Sequence, residues 1–284
     1  MKDVAGVKGM QLRNDATELE EVARNLRFGL IELSHRAGTP HLASSMSCVE
    51  ILVAAYWMAL NIDPLRADDP QRDRFILSKG HAATTLYKTL AMRGFFPLDW
   101  LDEFNRDGGR FAEHPGPHCA PGVEAATGSL GHGLPIGLGM ALAGRISKRD
   151  YRVYVTVSDG ECNEGSLWEA AMFAGGRKLD RVCVIVDYNK WQATDRSDEV
   201  LALSPLADKW AACGWTTHEV DGHDIAALGD LMCNLPDGSG KPVAIIAHTV
   251  KGKGVSFMED DNNWHYRIPT AEEVEKSRVE LGLA

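Results

Sequence analysis

One stretch of this chain, residues 151–190, limits the possible fold more than any other. It opens with an apolar run rich in β-branched and aromatic residues, 151–157, which predicts a buried strand. A helical apolar pattern follows from about Asn163, and Gly175-Gly176 predict where that helix ends. The apolar run at 181–186 predicts a second strand. Strand, helix and strand form a βαβ unit, so we expect an α/β fold with a doubly wound, mostly parallel sheet and helices on both faces.

Polar residues follow both strands of this unit. Asp159 comes directly after the first strand and Asn189 after the second. The carboxyl ends of neighbouring parallel strands meet at one edge of a sheet, where a carboxylate and an amide oxygen suit Mg²⁺ or Ca²⁺. The start of the helix near Asn163 offers backbone N–H groups to an anion. The sequence therefore predicts a diphosphate held through its metal ion. The alternative is that Asp159 only forms a turn and Asn189 only caps a loop.

Two segments of this stretch resemble the thiamine diphosphate signature of the transketolase family. The signature begins Gly-Asp-Gly and ends in Asn-Asn or a variant; here 158–160 reads Ser-Asp-Gly and 189–190 reads Asn-Lys. The outer positions are replaced, while both candidate metal ligands are kept. The resemblance implies metal ligands at Asp159, Asn189 and the backbone carbonyl of Trp191, and cofactor contacts at Gly160, Glu164 and Asn189.

The first part of the chain predicts two helices joined by a loop. An apolar stripe predicts a helix from about Thr17 to Arg36 that ends at Gly38. After a loop, residues 47–50 (Ser-Cys-Val-Glu) have the form of a capping box before an apolar helix at 51–60. The loop contains His41, in a run that resembles the loop between the first two helices of the transketolase family. The resemblance implies that His41 lies beside the donor substrate.

Two further blocks resemble the same family. After a short predicted strand, the run Ser-Lys-Gly-His at 78–81 resembles a motif whose histidine contacts the diphosphate, which implies that role for His81. The irregular segment 95–121 contains the second block. By its spacing to Gly128, His114 rather than His118 matches the active-site histidine of the family. Glu113 stands where the family usually has Gly.

A glycine-rich run follows that segment and continues into an apolar helix that ends near Ile146. The resemblance implies that Gly128, Ser129 and Leu130 line the aminopyrimidine ring of the cofactor. Glycine is a poor helix former, but it permits the close approach of a backbone or a ring. Tight packing of this helix in the core explains the glycines equally well, and both explanations can hold.

The last predicted strand, 243–249, leads to a second candidate anion contact. Lys251 and Lys253 follow it among glycines, where they either help to hold an anion or lie in a solvated turn. The segment 258–265 resembles the family segment that brings a final histidine to the donor substrate and the diphosphate. We therefore expect His265 to serve both catalysis and cofactor binding.

The composition excludes several other classes of protein. The chain has 284 residues, 44% of them hydrophobic, enough for a single diphosphate-binding domain over residues 1–284. A formal net charge of -10 argues against binding nucleic acid or a membrane surface. No apolar run reaches membrane-spanning length and residues 1–4 do not begin a signal peptide, so we expect a cytoplasmic protein. The cysteines lack zinc spacing, and we expect them to be reduced.

The resemblance runs from about Leu19 to His265 and concerns the diphosphate-binding half of the family only. It implies a transketolase subunit that binds thiamine diphosphate and Mg²⁺ (or Ca²⁺) and transfers a two-carbon ketol unit from a ketose to an aldose, either of which can be phosphorylated. The C-terminal domains are absent, so we expect a separate partner subunit that supplies the pyrimidine-binding domain and the activating Glu. The expected assembly is an α2β2 heterotetramer with two copies of each chain.

Two other functions remain open at this point. The same cofactor would serve a subunit of a 1-deoxyxylulose or acyloin-type synthase with a 2-oxo acid donor; release of CO₂ from pyruvate would identify it. A non-catalytic cofactor-binding subunit is the other alternative, although a scaffold needs no set of histidines near a metal. The sequence does not identify the sugars, because in this family the acceptor phosphate is held mostly by the missing half.

Overall fold

The computed structural model describes residues 15–284, and a parallel sheet forms the centre of this part of the chain. Its strands are β1 (Arg74–Leu77), β2 (Val153–Ser158), β3 (Val182–Tyr188), β4 (Thr216–Asp221) and β5 (Val243–His248). Within the described residues they follow the order β1-β2-β3-β5-β4, and every neighbouring pair is parallel. Ser158 lies opposite Asp187, so β2 and β3 end level with each other. The predicted parallel α/β sheet is confirmed.

Helices cover both faces of the sheet, as predicted. In chain order they are α1 (Ala16–Ala37), α2 (Leu42–Ser47), α3 (Val49–Val53), α4 (Ala83–Met92), α5 (Gly133–Ile146), α6 (Gly165–Arg177), α7 (Ser197–Val200), α8 (Leu206–Ala212), α9 (Ile225–Cys233) and α10 (Ala271–Glu280). A π-helical turn, Ala54–Ala59, continues α3. We call α1 to α4, α9 and α10 the thick layer, because they share one core with one face of the sheet. We call α5, α6 and α8 on the other face the thin layer.

The central strands are apolar along their whole length because both of their faces are buried. In β2, Tyr154 packs into the core of the thick layer, whereas Val153 and Val155 pack into that of the thin layer. All residues of β2 and β3 are buried. A strand covered on both sides needs no polar alternation, which is typical of parallel sheets.

The predicted end of the first helix is confirmed, and the last helix also begins at a local cap. Asp15 caps α1 by accepting from the N–H of Thr17 at 3.1 Å, and Gly38 ends the helix in the left-handed conformation. At α10, Thr270 and Glu273 form a reciprocal capping box. Both ends follow local capping rules, so the sequence alone is enough to place them.

Two other predicted ends are wrong. Residues 47–50 do not form a capping box: the hydroxyl of Ser47 donates to Asp187 at 2.6 Å, and α2 already occupies part of the predicted loop. Gly175-Gly176 do not end α6, which continues to Arg177. Gly175 serves packing instead, because a Cβ there would lie 1.9 Å from the carbonyl oxygen of Cys213.

The remaining expectations concern membranes and the N-terminus. Across residues 15–284, none of the helices has the length and apolarity needed to cross a bilayer. The expectation about residues 1–4 lies outside the described part of the chain.

Candidate functional site

The predicted site residues surround one cavity at the carboxyl ends of β1, β2 and β3. Its volume of about 380 Å³ is within the usual range for ligand sites. The predicted residues that line it are His41, His81, His114, Gly128, Leu130, Asp159, Gly160, Glu164, Asn189, Trp191 and His265. The predicted residue outside this lining is Ser129, whose hydroxyl lies 3.3 Å from Nδ1 of His132. The fold thus brings together residues from both ends of the described chain.

Asp159 and Asn189 lie at this edge because their strands are hydrogen-bonded neighbours. The buried carboxylate of Asp159 accepts from the backbone N–H of Gly160 at 2.8 Å and of Lys190 at 2.7 Å. The amide oxygen of Asn189 accepts from the N–H of Trp191 at 3.0 Å. These bonds orient both side chains. Oδ2 of Asp159 also accepts from the hydroxyl of Ser197 at 2.8 Å and is therefore occupied, whereas Oδ1 of Asp159 and Oδ1 of Asn189 keep lone-pair capacity for a ligand.

The oxygen atoms offered here fit a hard divalent cation: one carboxylate, one amide oxygen and the carbonyl of Trp191. Burial, with a smaller contribution from Asp187, raises the pKa of Asp159 to about 6. A cation beside this carboxylate would favour its charged form. In the part of the chain that the structure describes, no group of three or more His, Cys, Asp or Glu side chains could hold a metal. Amide and carbonyl oxygens would therefore have to complete the coordination.

Several polar atoms of the cavity wall have no hydrogen-bond partner among residues 15–284. They are Nδ1 of His41, Oδ1 of Asn163 and Nε2 of Gln192, all of them buried. Buried polar groups in folded proteins are nearly always paired. These atoms therefore favour a polar ligand in the cavity, and a diphosphate with its cation has the required acceptors and charge.

Glycines bring two loops into direct backbone contact beside the cavity. A Cβ at Gly80 would lie 2.6 Å from the backbone of Thr127 and Gly128. Gly128 has a φ of +139° and packs on the His114 ring, where a Cβ would approach the ring to 2.7 Å. Larger residues would separate the loops that carry His81 and His114. The glycine-rich run therefore holds two of the candidate site residues in position.

Four histidines form a cluster at one end of the cavity: His41, His81, His114 and His265. The ring centroids of His41 and His265 are 4.8 Å apart, and those of His41 and His81 are 5.5 Å apart. Burial lowers the pKa of His41 to about 4 and that of His265 to about 3, with further lowering by nearby cations and imidazoles. Burial also lowers the pKa of His81 well below its ordinary value. These three rings are neutral at pH 7, so each offers one hydrogen-bond donor and one acceptor.

Lys251 fixes which nitrogen of His265 carries the hydrogen. Its buried ammonium lies 2.7 Å from Oδ1 of Asn262 and 3.0 Å from Nδ1 of His265. Burial, with the nearby charge of Lys79, lowers the pKa of Lys251 to about 8, so it remains protonated at pH 7. An ammonium only donates, so Nδ1 accepts and Nε2 of the neutral ring carries the hydrogen. Of the two sequence interpretations, the solvated turn is wrong for Lys251, which is fully buried.

The sequence analysis missed a buried ion pair beneath the cavity. Lys79 pairs with Asp187 in the fully buried interior and also donates to the carbonyl of Ser44 at 2.8 Å. Asp187 accepts further hydrogen bonds from Ser47 and Thr249. The pair links the loop that carries His81 to the strand that leads to Asn189. The sequence does show a charged residue, Asp187, at the end of an otherwise apolar strand. Its partner Lys79 lies 108 positions away, and no pattern in the sequence links the two.

Glu161 is a second residue that the sequence analysis left without a role. Its buried carboxylate accepts from the hydroxyl of Ser78 and from the backbone N–H of Gly131 at 2.8 Å and of Ser158 at 3.3 Å. Burial raises its pKa. This side chain joins three loops around the cavity and is already occupied by their donors.

Comparison with known proteins adds an independent line of information. Residues 19–284 match the family model described as "Transketolase, thiamine diphosphate binding domain". The chain is 41% identical over 267 residues to a protein of Actinobacillus succinogenes that is named as one subunit of an apulose-4-phosphate transketolase. That match covers 93% of this chain and 96% of the relative.

A second relative and a solved structure agree with this match. The 6-deoxy-6-sulfo-D-fructose transketolase subunit SqwG of Clostridium sp. is 39% identical over 92% of this chain and 95% of its own length. The crystal structure of transketolase from Campylobacter jejuni superposes with a TM-score of 0.88 at 26% identity. It covers 95% of this chain, but the chain spans only 43% of the Campylobacter protein.

Proposed function

The chain belongs to the transketolase family, and on that premise we propose that it is the cofactor-binding subunit of a two-chain transketolase. The family makes it part of a transferase of ketol units. We propose that the units come from a ketose phosphate and pass to an aldose phosphate. The observation that supports this most directly is the composition of the cavity wall. It contains the oxygen atoms that fit a divalent cation as well as the histidine cluster.

When bound, thiamine diphosphate supplies a nucleophilic carbon and an electron sink for cleaving and forming the bond next to a carbonyl. His81, the backbone of Gly160 and Glu164 would contact its diphosphate. Gly128 and Leu130, which line the cavity, would contact its aminopyrimidine ring, and Ser129 would lie between them outside the lining. The close packing of Gly128 on the His114 ring supports this, because no side chain projects from position 128 into the space for the cofactor ring.

Mg²⁺ (or Ca²⁺) would be held by Asp159, Asn189 and the backbone carbonyl of Trp191. The orientation of both side chains by backbone N–H groups supports this assignment, since they are in place before a cation arrives. The positive charge of the cation would balance the negative charges of the diphosphate and of the buried Asp159 carboxylate.

His41, His114 and His265 would surround the hydroxyls of the donor and move protons during the reaction. His265 presents its Nε2–H, because Lys251 occupies Nδ1. It therefore acts by donating a hydrogen bond from Nε2 to an oxygen of the substrate. The unpartnered Nδ1 of His41 can accept a hydrogen from a substrate hydroxyl.

The remaining half of the active site would come from a separate C-terminal subunit. Relatives of nearly the same length that are themselves named as transketolase subunits support a second chain. Glu161 is held by its own loops, so this chain does not offer it as the Glu that activates the cofactor; the partner would supply that residue. We propose an assembly with two copies of each chain. Buried free thiols at Cys48 and Cys183 are compatible with the reducing cytoplasm as its location.

A groove on the thin layer is the proposed contact with that partner. The α5–α6 groove is lined by His132, Pro135, Leu138, Gly139, Leu142, Ser166, Glu169, Ala170 and Phe173. Its apolar character and its position directly after the segment 128–131 support this, because a partner seated there would reach the cofactor cavity. It continues into the exposed side chains of Ile136 and Met172.

Turnover with and without the partner tests the proposal. The purified chain with thiamine diphosphate, Mg²⁺, D-xylulose 5-phosphate and an aldose phosphate should be inactive alone and active after addition of the sister chain. Robust turnover by this chain alone would refute the two-chain arrangement. Release of CO₂ from pyruvate, without turnover of the ketose, would support the 2-oxo acid synthase instead.

The metal assignment has a separate test. Asp159→Ala should abolish Mg²⁺-dependent binding of thiamine diphosphate, measured by calorimetric titration, because the site loses its charged ligand. Asp195→Ala, at an exposed aspartate in the following loop, serves as the control. Equal cofactor affinity in Asp159→Ala and in the wild type would end the assignment.

A further inference from the structure

Two side chains with no part in the proposed chemistry lie beside His41, which itself lines the cavity. Oε1 of Glu113 lies 3.5 Å from Nε2 of His41. The ring of Tyr266 lies 5.7 Å from the His41 ring and 4.6 Å from the His265 ring, measured between centroids. Glu113 keeps 34% of its side chain exposed and Tyr266 is 64% exposed. Both therefore lie against the histidine cluster and keep part of their surface exposed, where an incoming molecule can reach them.

The carboxylate of Glu113 lacks a hydrogen-bond donor. Its Oε1 is buried without a partner among the described residues, and 3.5 Å to His41 is too long for a good hydrogen bond. The side chain as a whole is 34% exposed, so part of it remains accessible to an incoming molecule. A carboxylate only accepts hydrogen bonds, so an incoming molecule satisfies it with a donor.

The charge of Glu113 is also not balanced by the neighbouring imidazoles. His41 has a pKa of about 4 and His265 one of about 3, mainly because both are buried, so each is neutral at pH 7. An anionic group placed beside Glu113 would be repelled. Among the groups that a sugar or sugar phosphate carries, the hydroxyl is therefore the donor that this position favours.

Tyr266 adds an apolar surface next to this acceptor. An exposed aromatic ring held edge-on against another ring is a rigid platform with little conformational entropy to lose. The carbon–hydrogen face of a sugar packs on such a ring, while its hydroxyls need acceptors beside it. Tyr266 and Glu113 both lie beside His41. The ring suits the carbon atoms of a polyhydroxylated chain, and the carboxylate suits its hydroxyls.

We propose that Glu113 and Tyr266 are specificity-determining residues that select hydroxylated, locally uncharged sugar chains at the entrance. Glu113 accepts a hydrogen bond from a substrate hydroxyl, and Tyr266 covers the adjoining carbon atoms. The charge of a phosphorylated sugar is held elsewhere, beyond the reach of this carboxylate. This inference rests on the proposed ketol transfer and concerns the same cavity.

Glycolaldehyde and acetaldehyde, acceptors that differ by one hydroxyl, test the inference with the reconstituted two-chain enzyme and D-xylulose 5-phosphate as donor. Glu113→Ala should lower the ratio of kcat/KM for glycolaldehyde to that for acetaldehyde about tenfold to a hundredfold, the loss expected for a hydrogen bond to a charged acceptor. Glu113→Gln should keep most of the ratio, since an amide oxygen still accepts. Glu103→Gln, an exposed carboxylate in the preceding 3-10 turn, is the matched control and should change nothing.

The other substitutions separate charge from shape. Glu113→Gln should leave the ratio of kcat/KM for D-glyceraldehyde 3-phosphate to that for D-glyceraldehyde unchanged, because the phosphate is held beyond the reach of this carboxylate. Tyr266→Ala should raise KM for D-ribose more than for glycolaldehyde, because the longer chain loses more covered surface. An unchanged hydroxyl ratio in Glu113→Ala would overturn the inference. So would a shifted pH profile with that ratio unchanged, since Glu113 would then act only on His41.

A binding measurement keeps this inference separate from the proposed function. If the wild-type enzyme does not turn over ketoses, the proposed function fails. Saturation-transfer NMR then measures the binding of L-erythrulose to the full chain. This tests the contact with Glu113 without any turnover. The signal should be lost in Glu113→Ala and kept in Glu103→Gln, with equal melting temperatures as evidence of folding. Equal signals in both variants would overturn the inference.

Discussion

The helices on the two faces of the sheet differ in how completely their neighbours cover them. In the thick layer, α1 packs against the sheet-side helices α3 and α4 and also against α10, and Leu26, Leu30 and Ile31 are inaccessible to solvent. In the thin layer, α5 and α6 pack on the sheet and on each other. Beyond them lies the α5–α6 groove, next to exposed Ile136 and Phe173.

Exposed apolar residues also occur on the thick side, but they are scattered. Leu65 and Leu98 lie on separate 3-10 turns and Val279 lies on α10. Single exposed apolar residues are normal on protein surfaces, whereas a contiguous patch indicates an interface. The thick layer thus completes the chain's own fold, whereas the outer face of the thin layer remains open for the proposed contact with the partner chain.

The largest expected effect lies in the thick layer. Arg27 and Glu50 form a buried ion pair, and Glu50 also lies 3.0 Å from Nδ1 of His223. Arg27→Met would leave Glu50 buried without its cation, so we expect the free energy of unfolding to fall by about 3–5 kcal/mol. Urea denaturation measures this. Arg278→Met, on the exposed surface of α10, is the control and should cost about 1 kcal/mol or less.

The same variant has a pH signature. Burial alone would raise the pKa of Glu50, but Arg27 and His223 outweigh it and lower that pKa. The lowered pKa stabilises the fold above the ordinary carboxyl range and ceases to do so as the pH falls through the folded-state value. The stability difference between wild type and Arg27→Met should therefore shrink towards acid pH. A difference that stays constant down to pH 3 would contradict this electrostatic account.

The second effect belongs to the thin layer. Phe173→Asp should weaken association with the sister chain about thirtyfold or more, the size of an interface hot spot, because it places a charge in the apolar groove. Leu65→Asp, at 91% exposure on the opposite side, is the matched control and should leave association unchanged. Surface plasmon resonance with the sister chain measures both. If the two variants bind equally well, the groove is not the interface.

The smallest effect separates the two faces of one helix. Gly137→Ala should destabilise the isolated chain by about 1–3 kcal/mol, because the new methyl would lie 2.7 Å from Cγ2 of Val155. Gly139→Ala should instead stabilise it by about 0.5–1 kcal/mol, since nothing lies within 4 Å and alanine is the better helix former. Thermal unfolding of both variants gives the two signs. Two destabilised variants would mean that both helix faces are packed within the chain.

The sequence was sufficient for those features that depend on local pattern or on parallel pairing. The strands β2 and β3 are apolar runs because both faces are buried, and the polar residues that follow them meet because parallel strands end together. Asp159 and Asn189 could therefore be placed at one site without a structure. The ends of α1 and α10 were predictable because their caps are local.

Features that depend on distant partners were missed. Ser47 looked like a helix cap, but its hydroxyl is used by Asp187, 140 positions away. Gly175 looked like a helix end, but it makes room for the backbone after α8. The pairing of Lys79 with Asp187 follows from no spacing rule, since only the folded sheet brings them together. The chain's own pattern carries information about periodicity, not about which buried charges meet.

The hydrogen bond from the backbone N–H of His41 to the carbonyl of His265, 2.8 Å long, has a consequence for the order of folding. It closes a loop that contains nearly the whole described chain, and closing so long a loop is entropically costly until the intervening sheet has formed. The two histidines should therefore meet late, after the strands between them have paired. During synthesis, cofactor affinity should appear only once the segment with His265 has left the ribosome, so thiamine diphosphate would report completion of the chain rather than guide its folding.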